Sequence, residues 1–116
     1  MSLREIIIQS VQKLKYNFVS TGVYAATQGP RLETAAEIDR YEKDGATIVG
    51  MTAMPEAALA RELNISYVAI CPVANHAAGR GESAEGITSA MLSHSSEQTI
   101  KNTIDILIHL VKTHGY

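Results

Sequence analysis

The sequence predicts an α/β fold. Short apolar segments rich in β-branched residues alternate along the chain with segments whose apolar residues recur at helical spacing. The connections between them are short and contain glycine, proline or asparagine, as is typical of strands and helices that follow one another directly. Only three candidate strands are present, so a parallel or mixed sheet would keep an open edge and an uncovered face. We therefore expect residues 1–116 to form a single, partial domain of a larger unit.

The first part of the chain predicts a helix and a strand. Leu3, Ile7, Val11 and Leu14 recur at helical spacing, which indicates a helix running to about residue 15. Residues 19–28 are rich in β-branched and small side chains and end at Gly29-Pro30, which is typical of a strand followed by a sharp turn.

A second helix and a second strand follow. Thr34 with Glu37 three residues later has the pattern of a capping box, so a helix is expected over residues 35–43, closed by Asp44-Gly45. The short apolar run over residues 46–50 then predicts a strand. This order predicts a strand–helix–strand unit.

The remainder predicts two helices, one strand and a loop. Residues 54–63 open with Pro55 near the first helical position and end before Asn64, which predicts a helix, and residues 65–73 predict a buried strand. Residues 76–85 are glycine-rich and predict a mobile loop in which His76 and Arg80 are solvated. A last helix is expected from about residue 83 or 87 to 112, with a break near residues 93–96.

Composition and charge exclude several classes of partner. The chain has 116 residues, 46% of them hydrophobic, and a formal net charge of −2. It offers no basic excess for nucleic acid or an anionic membrane. No apolar run reaches the roughly twenty residues of a membrane span, and the N-terminus lacks a signal-peptide layout, so we expect a cytoplasmic protein. The single cysteine, Cys71, lies in an apolar stretch and is interpreted as a small buried residue.

Three segments occupy positions where ligands bind in α/β sheets, at or just beyond the carboxyl ends of the predicted strands. They are residues 28–34, 50–56 and 73–81, and each is rich in small residues. Each also carries one polar side chain without an evident structural task, namely Glu33, Thr52 and Asn75. The sequence thus predicts a ligand site at this edge of the sheet.

Four motifs in these segments resemble the trimeric purine nucleoside and methylthioadenosine phosphorylase family. They are GPRLETAAE over residues 29–37, GATIVGMTAMPE over residues 45–56, AR at residues 60–61 and AN at residues 74–75. Their order and spacing match the family over residues 22–81, which corresponds to its C-terminal half. The resemblance implies the C-terminal half of a phosphorylase-like, three-layer α/β fold with a mixed central sheet.

The resemblance also implies a reaction and roles for five residues. The reaction is phosphorolysis of a purine nucleoside, with inorganic phosphate as co-substrate, no metal and no organic cofactor, in a homotrimer. Leu32 would line the base pocket and Glu33 would bind the pyrimidine edge of the purine. Met51 would pack on the ribose, the Thr52 hydroxyl would bind phosphate, and Asn75 would contact N7 and the 6-substituent.

Asn75 and Ile87 narrow the expected substrate. Family members that release adenine place at the Asn75 position an aspartic acid able to protonate N7, whereas an asparagine can only donate a hydrogen bond there and meet a 6-oxo group. Members acting on inosine place a histidine where this chain has Ile87, Thr88 and Met91. An apolar 5′ pocket suits a methylthio group, so 5′-methylthioinosine is expected first and inosine or guanosine next, unless His94 reaches the 5′ position.

Simpler interpretations remain open for each residue. Glu33 could support the following helix, Thr52 and Asn75 could serve turns, and Leu32 and Met51 could belong to the core. The family's phosphate loop, with its arginine and histidine, has no counterpart in residues 1–116, so we expect this chain to be incomplete for catalysis. A non-catalytic purine-binding or assembly module and the related hydrolase branch are the alternatives.

Overall fold

The computed structural model describes residues 1–115, without the side chains of His94 and Ser95, and its architecture is α/β as predicted. Four α-helices and two strands follow in the order α1, β1, α2, β2, α3 and α4, with a 3-10 turn before α4. Their bounds are α1 Leu3–Lys13, β1 Tyr24–Ala26, α2 Ala35–Lys43, β2 Ile48–Gly50, α3 Glu56–Glu62, the 3-10 turn Gly81–Ser83 and α4 Ser89–His114.

The strand–helix–strand prediction is confirmed by a parallel sheet of β1 and β2, with Tyr24 opposite Ile48. Both strands are shorter than predicted, and the Thr47 side chain bonds to the backbone of Val23 where they begin. Its hydroxyl accepts from the Val23 N–H at 2.8 Å and also lies 3.3 Å from the Val23 carbonyl oxygen. Gly22 allows this approach, since a Cβ there would lie 2.7 Å from the same hydroxyl.

The prediction of a buried strand over residues 65–73 is wrong for this structure. The segment is extended but belongs to no strand, because no chain segment within residues 1–115 lies beside it as a ladder partner. Within it, Val68 and Ile70 are half-buried, whereas residues 65–67 and 71–73 are exposed. Cys71 is exposed, so its interpretation as a buried residue is also wrong, because nothing described here covers this part of the segment.

The capping box of α2 is confirmed. The Thr34 hydroxyl accepts from the Glu37 N–H at 3.2 Å, and the Glu37 carboxylate accepts from the Thr34 N–H at 3.2 Å. Arg31 adds a two-pronged ion pair to the same carboxylate, at 2.8 and 3.1 Å. Hydrogen bonding from Arg31 is the main cause that lowers the pKa of Glu37 to about 2, and the backbone and hydroxyl of Thr34 act in the same direction.

A pH dependence follows from the Glu37 carboxylate. Because its pKa is lower in the folded chain than the ordinary 4.5, its contribution is complete above that value and is lost as the pH falls toward 2. We expect Glu37→Gln to flatten the decline of unfolding free energy between about pH 4.5 and 2 in urea denaturation. Glu62→Gln, on an exposed carboxyl that makes no ion pair among the described residues, is the control. Equal slopes for wild type and Glu37→Gln would contradict this account.

The helix of the C-terminal region is continuous, so the predicted break near residues 93–96 is wrong. The hydroxyl of Ser93 bonds to the carbonyl oxygen of Ser89 at 2.8 Å, and that of Ser96 bonds to the carbonyl oxygen of Leu92. These hydroxyls bond to the preceding turn, and the backbone nevertheless stays helical over Ser89–His114. The helix ends at Gly115, which adopts a left-handed conformation.

A small hydrophobic core joins α1 to α4. Val11, Ile106 and Leu110 are buried at its centre, and Ile70 of the extended segment packs against them. The Tyr16 hydroxyl donates to Asp105 at 2.7 Å and fastens the end of α1 to α4. The opposite face of α4 is exposed over five apolar side chains, which are Ile100, Ile104, Leu107, Ile108 and Val111. This face of α4 is therefore apolar and exposed in residues 1–115.

Candidate functional site

A cavity of about 770 Å³ lies where β1, β2 and the extended segment reach the carboxyl edge of the sheet. One wall is formed by residues 46–53 and the facing wall by residues 67–78. The volume falls within the range of small-molecule sites. All six residues proposed from the sequence line it, namely Leu32, Glu33, Met51, Thr52, Asn75 and Ile87.

Glu33 is held by the end of the sheet rather than by the helix that follows. Its carboxylate Oε1 accepts a hydrogen bond of 2.7 Å from the Thr27 hydroxyl. The Thr27 N–H in turn donates to the Gly50 carbonyl oxygen at 2.9 Å, which extends the β1–β2 pairing. Thr34 and Glu37 cap α2 without Glu33, and the alternative that the Glu33 carboxylate supports this helix is tested below by substitution.

Leu32 and Met51 form an apolar rim at the cavity. Leu32 is 45% exposed and Met51 is 37% exposed, so neither is a core residue of this chain. Gly29 makes room for Met51, because a Cβ at Gly29 would lie 2.5 Å from the Met51 sulfur. Gly29 also has φ +54°, a conformation that favours glycine. The turn after β1 is thus shaped around the methionine.

Thr52 presents its hydroxyl without a structural partner. Its backbone N–H donates to the Tyr24 hydroxyl at 3.4 Å, but within residues 1–115 its side-chain oxygen makes no hydrogen bond. Gly50 permits this arrangement, because a Cβ there would collide with the Tyr24 hydroxyl. Tyr24 was not singled out from the sequence, since a tyrosine in a short strand is usually a packing residue.

Asn75 and Ile87 close the far side of the cavity. The Asn75 side-chain nitrogen donates to the His76 carbonyl oxygen at 2.6 Å, which fixes the plane of the amide and leaves its second proton for a ligand. Ile87 is half-buried and directly precedes Thr88, whose hydroxyl accepts from the Met91 N–H and caps α4. The Thr88 hydroxyl is therefore engaged, and Ile87 leaves this wall apolar.

The glycine-rich loop is fastened to α2, so the prediction that Arg80 is solvated is wrong. The Arg80 guanidinium pairs with Asp39 at 2.8 Å and with Glu42 at 2.6 Å, and its side chain is only 35% exposed. These hydrogen bonds, that of Asp39 first, raise the pKa of Arg80 above its ordinary value. Arg80 also lines the cavity. The loop therefore places the positively charged Arg80 side chain at the cavity, fixed by its two ion pairs.

Thr27 is a candidate site residue that sequence reasoning missed. It stands directly after β1 and joins three parts of the site, because it bonds to both the Glu33 carboxylate and the Gly50 carbonyl. The available signal was a threonine at the end of a predicted strand. It stands six residues before Glu33, which follows the turn at Gly29-Pro30. Threonine is common in strands, and the signal could not be separated from ordinary β propensity.

Comparisons with known proteins identify the family. The model of the phosphorylase superfamily matches residues 1–112, so the chain belongs to this superfamily. A probable S-methyl-5′-thioinosine phosphorylase of Xylella fastidiosa is 48% identical over 92 residues, covering 79% of this chain and 37% of the relative. A probable 6-oxopurine nucleoside phosphorylase of Thermococcus kodakarensis is 46% identical over 77 residues, covering 66% of this chain and 29% of the relative.

A solved structure supports the same assignment. The methylthioadenosine phosphorylase of Schistosoma mansoni, in complex with adenine, superposes with a TM-score of 0.84 at 26% identity. The match covers 97% of this chain and 44% of that protein. The predicted phosphorylase-like α/β fold is confirmed, and the chain spans less than half the length of the relatives it matches.

None of the helices within residues 1–115 combines the length and the hydropathy that a membrane span requires.

Proposed function

We propose that this chain supplies the purine-recognition part of a nucleoside phosphorylase that acts on 6-oxopurine nucleosides, 5′-methylthioinosine first. The observation that carries the proposal is the meeting of six side chains from four separate segments in one cavity. Two of them, Glu33 and Asn75, can hydrogen-bond a base, and they come from chain segments about forty residues apart. The names of the Xylella and Thermococcus relatives support the same class of substrate.

The base is recognised by Glu33 and Asn75. The Glu33 carboxylate, oriented by Thr27, accepts from N–H groups on the pyrimidine edge of a 6-oxopurine. The Asn75 amide donates toward N7, where negative charge grows as the bond from N9 to C1′ breaks and its electron pair moves to the base. An asparagine has no proton to transfer, so a leaving group that needs protonation at N7 is disfavoured.

The sugar and phosphate are bound on the remaining walls. Met51 packs against the ribose and Ile87 provides an apolar surface for the 5′-methylthio group, next to which a hydroxyl would remain unpaired. The Thr52 hydroxyl donates to inorganic phosphate, whose oxygen forms the new bond to C1′. Neither a metal ion nor an organic cofactor takes part, and the active assembly is a cytoplasmic homotrimer.

This chain alone is not expected to turn over nucleoside. One hydroxyl, that of Thr52, cannot replace the hydration of a phosphate dianion, because the transfer of an ion from water requires several charge-assisted partners. The other phosphate ligands lie in the part of the fold that this chain does not span. A purine-binding module without catalysis is the second candidate function. It predicts no role for the Thr52 hydroxyl in phosphate binding, so substitution of Thr52 separates the two candidates.

The proposal is tested in an enzyme made by joining this chain to the complementary part of the Xylella relative, called here the joined enzyme. We expect phosphate-dependent cleavage of 5′-methylthioinosine, and Thr52→Val should raise the KM for phosphate at least tenfold. Thr47→Val, whose hydroxyl serves the sheet, is the matched control and should leave the KM for phosphate unchanged. Cleavage that does not depend on phosphate would favour a hydrolase, and base binding without cleavage would favour the module.

Thr27 is expected to act as a positioning residue for Glu33. Thr27→Val removes the hydrogen bond at 2.7 Å, so we expect about a tenfold loss of kcat/KM in the joined enzyme, corresponding to ~1–1.5 kcal/mol. Thr27→Ser keeps a hydroxyl and should restore most of the activity. A purely structural role would lower the melting temperature with both variants and leave kcat/KM unchanged at a temperature where both are folded.

A further inference from the structure

The two residues proposed to bind the base each precede a segment that contacts the other. Glu33 lies two residues before the start of α2 at Ala35, and Asn75 lies directly before the glycine-rich loop over residues 76–85. This loop returns to α2, where a Cβ on Gly79 would lie 2.9 Å from the Cβ of Ala35. A side chain at Gly79 would therefore collide with the helix. The close approach brings the loop against the first turn of α2.

Arg80 fastens the loop to the same helix. Its guanidinium nitrogen Nη2 donates to Asp39 at 2.8 Å and to Glu42 at 2.6 Å. Residues three positions apart lie on one face of a helix, so the two carboxylates hold the guanidinium group between them. These two ion pairs are called the Arg80 latch. The latch lies more than one turn along α2 from the contact at Gly79, so the loop is held at two separate points of the helix.

The part of the loop that carries Arg80 is a compact turn. The Gly79 N–H donates to the Ser83 carbonyl oxygen at 3.2 Å, and the Ser83 N–H donates to the Arg80 carbonyl oxygen at 2.8 Å. Ser83 is fully buried. A Cβ on Gly81 would lie 2.8 Å from the His76 ring, so this ring packs closely on the turn. A displacement of Arg80 would therefore also displace His76.

We propose that Arg80 is a positioning residue, which through the latch sets the separation between the Glu33 carboxylate and the Asn75 amide. On one side, the turn contacts His76, whose carbonyl oxygen accepts from the Asn75 side-chain nitrogen at 2.6 Å. On the other side, the latch holds α2, which begins two residues after Glu33. This inference rests on the proposed function, because the separation matters when both side chains bind one base.

The latch is expected to affect geometry more than stability. The side chains of Asp39 and Glu42 are 56% and 67% exposed. Exposed ion pairs add little to the free energy of unfolding, because water and salt screen them. The rate of a reaction is more sensitive, since a misplacement on the order of 1 Å can slow it about a hundredfold. Loss of the latch should therefore lower kcat/KM while the melting temperature changes little.

The test compares Arg80→Met with the wild type in the joined enzyme. Methionine keeps an apolar stem and removes both ion pairs, so we expect kcat/KM for 5′-methylthioinosine to fall about five- to tenfold. The KM for phosphate should stay unchanged, because Thr52 is not held by the latch. Arg80→Lys keeps the charge and should recover part of the loss. A lower melting temperature with unchanged kcat/KM would show a purely structural role and overturn the proposal.

Lys43→Met is the matched control for the loss of a positive charge. Lys43 is exposed at the end of α2 and makes no ion pair among the described residues. Its substitution should leave kcat/KM and the KM for phosphate unchanged. A loss of kcat/KM equal to that of Arg80→Met would attribute the effect to net charge and would contradict the latch.

A variant that combines Asp39→Asn with Glu42→Gln tests whether Arg80 acts through α2. Arg80 lines the cavity, so a direct contact with the substrate is the competing role. We expect the combined variant to lose as much kcat/KM as Arg80→Met. Adding Arg80→Met to it should cost less than about twofold more, because residues of one ion-pair network are not additive. Activity near wild type in the combined variant would assign Arg80 to the substrate and overturn the proposal.

Amide hydrogen exchange tests the latch without reference to a substrate. The N–H groups of Gly79 and Ser83 are bonded within the turn, and we expect both to exchange about threefold faster or more in Arg80→Met than in the wild-type joined enzyme. Unchanged exchange rates would overturn the proposal. A joined enzyme that cleaves no 6-oxopurine nucleoside would contradict the proposed function instead, and the exchange rates would then decide whether the latch holds the loop.

Discussion

Asn75→Asp in the joined enzyme is expected to move substrate preference from 5′-methylthioinosine toward 5′-methylthioadenosine. The carboxyl group can deliver a proton to N7 of adenine, whereas the amide can only donate a hydrogen bond there. Opposite a 6-oxo group, the carboxylate leaves one buried acceptor unpaired, at ~1–3 kcal/mol. We therefore expect the ratio of the two kcat/KM values to change by about ten- to a hundredfold.

The control is a second substitution of asparagine by aspartate, which introduces the same charge at a position away from the base-binding residues. Asn64→Asp lies in the turn after α3 and should leave the ratio of kcat/KM values unchanged. The Asn75 amide also bonds to the His76 carbonyl oxygen, so the melting temperature of each variant must be measured beside its kinetics. Selectivity that stays the same in a folded Asn75→Asp enzyme would remove Asn75 from the account of specificity.

Glu33→Ala is expected to cost ~2–4 kcal/mol in transition-state stabilisation, a loss of roughly thirty- to a thousandfold in kcat/KM. The structure gives the reason, because the carboxylate lines the cavity, accepts from Thr27 and has no part in capping α2. Glu33→Gln retains the size of the side chain, but its amide N–H groups would face an N–H group of the base, so two donors would meet. It should therefore recover little activity.

Glu37→Ala separates this effect from helix stability. Glu37 caps α2 and pairs with Arg31, so its loss should lower the melting temperature of the chain, with a smaller effect on kcat/KM than that of Glu33→Ala. A loss below tenfold for Glu33→Ala, with a decrease in melting temperature like that of Glu37→Ala, would return Glu33 to the role of helix support.

Local interactions account for what could be predicted from the sequence. The capping box of α2 depends on two residues three positions apart, and the end of that helix depends on Asp44-Gly45. Such features need no partner from elsewhere in the chain. The helix from Glu56 to Glu62 and the parallel pairing of β1 with β2 follow from similar short-range patterns and a short crossover.

The errors occurred where structure depends on distant or missing partners. Residues 65–73 have the composition of a strand, but a ladder needs a neighbour that these 115 residues do not provide. Cys71 is exposed for the same reason. Arg80 was assigned to solvent because its partners, Asp39 and Glu42, lie about forty positions earlier on another element. No pattern in a single sequence reports such a contact.

The candidate site residues could be predicted from the sequence because they lie in motifs that match the family in order and spacing. Glu33, Thr52 and Asn75 each follow an extended segment, and the carboxyl ends of such segments meet at one edge. Thr27 escaped because its role depends on a bond to Glu33 that only the turn between them creates. The roles of these residues in base and phosphate binding remain predictions for the experiments above.

The most direct test of the central claim is calorimetric titration of this 116-residue chain with hypoxanthine and with adenine, each with and without phosphate. A purine site built from Glu33 and Asn75 predicts that hypoxanthine binds at least tenfold more tightly than adenine, and that phosphate leaves the affinity unchanged because most of its ligands are absent from this chain. Adenine binding as tight as that of hypoxanthine, or no binding of either base, would contradict the claim that these residues form a 6-oxopurine site.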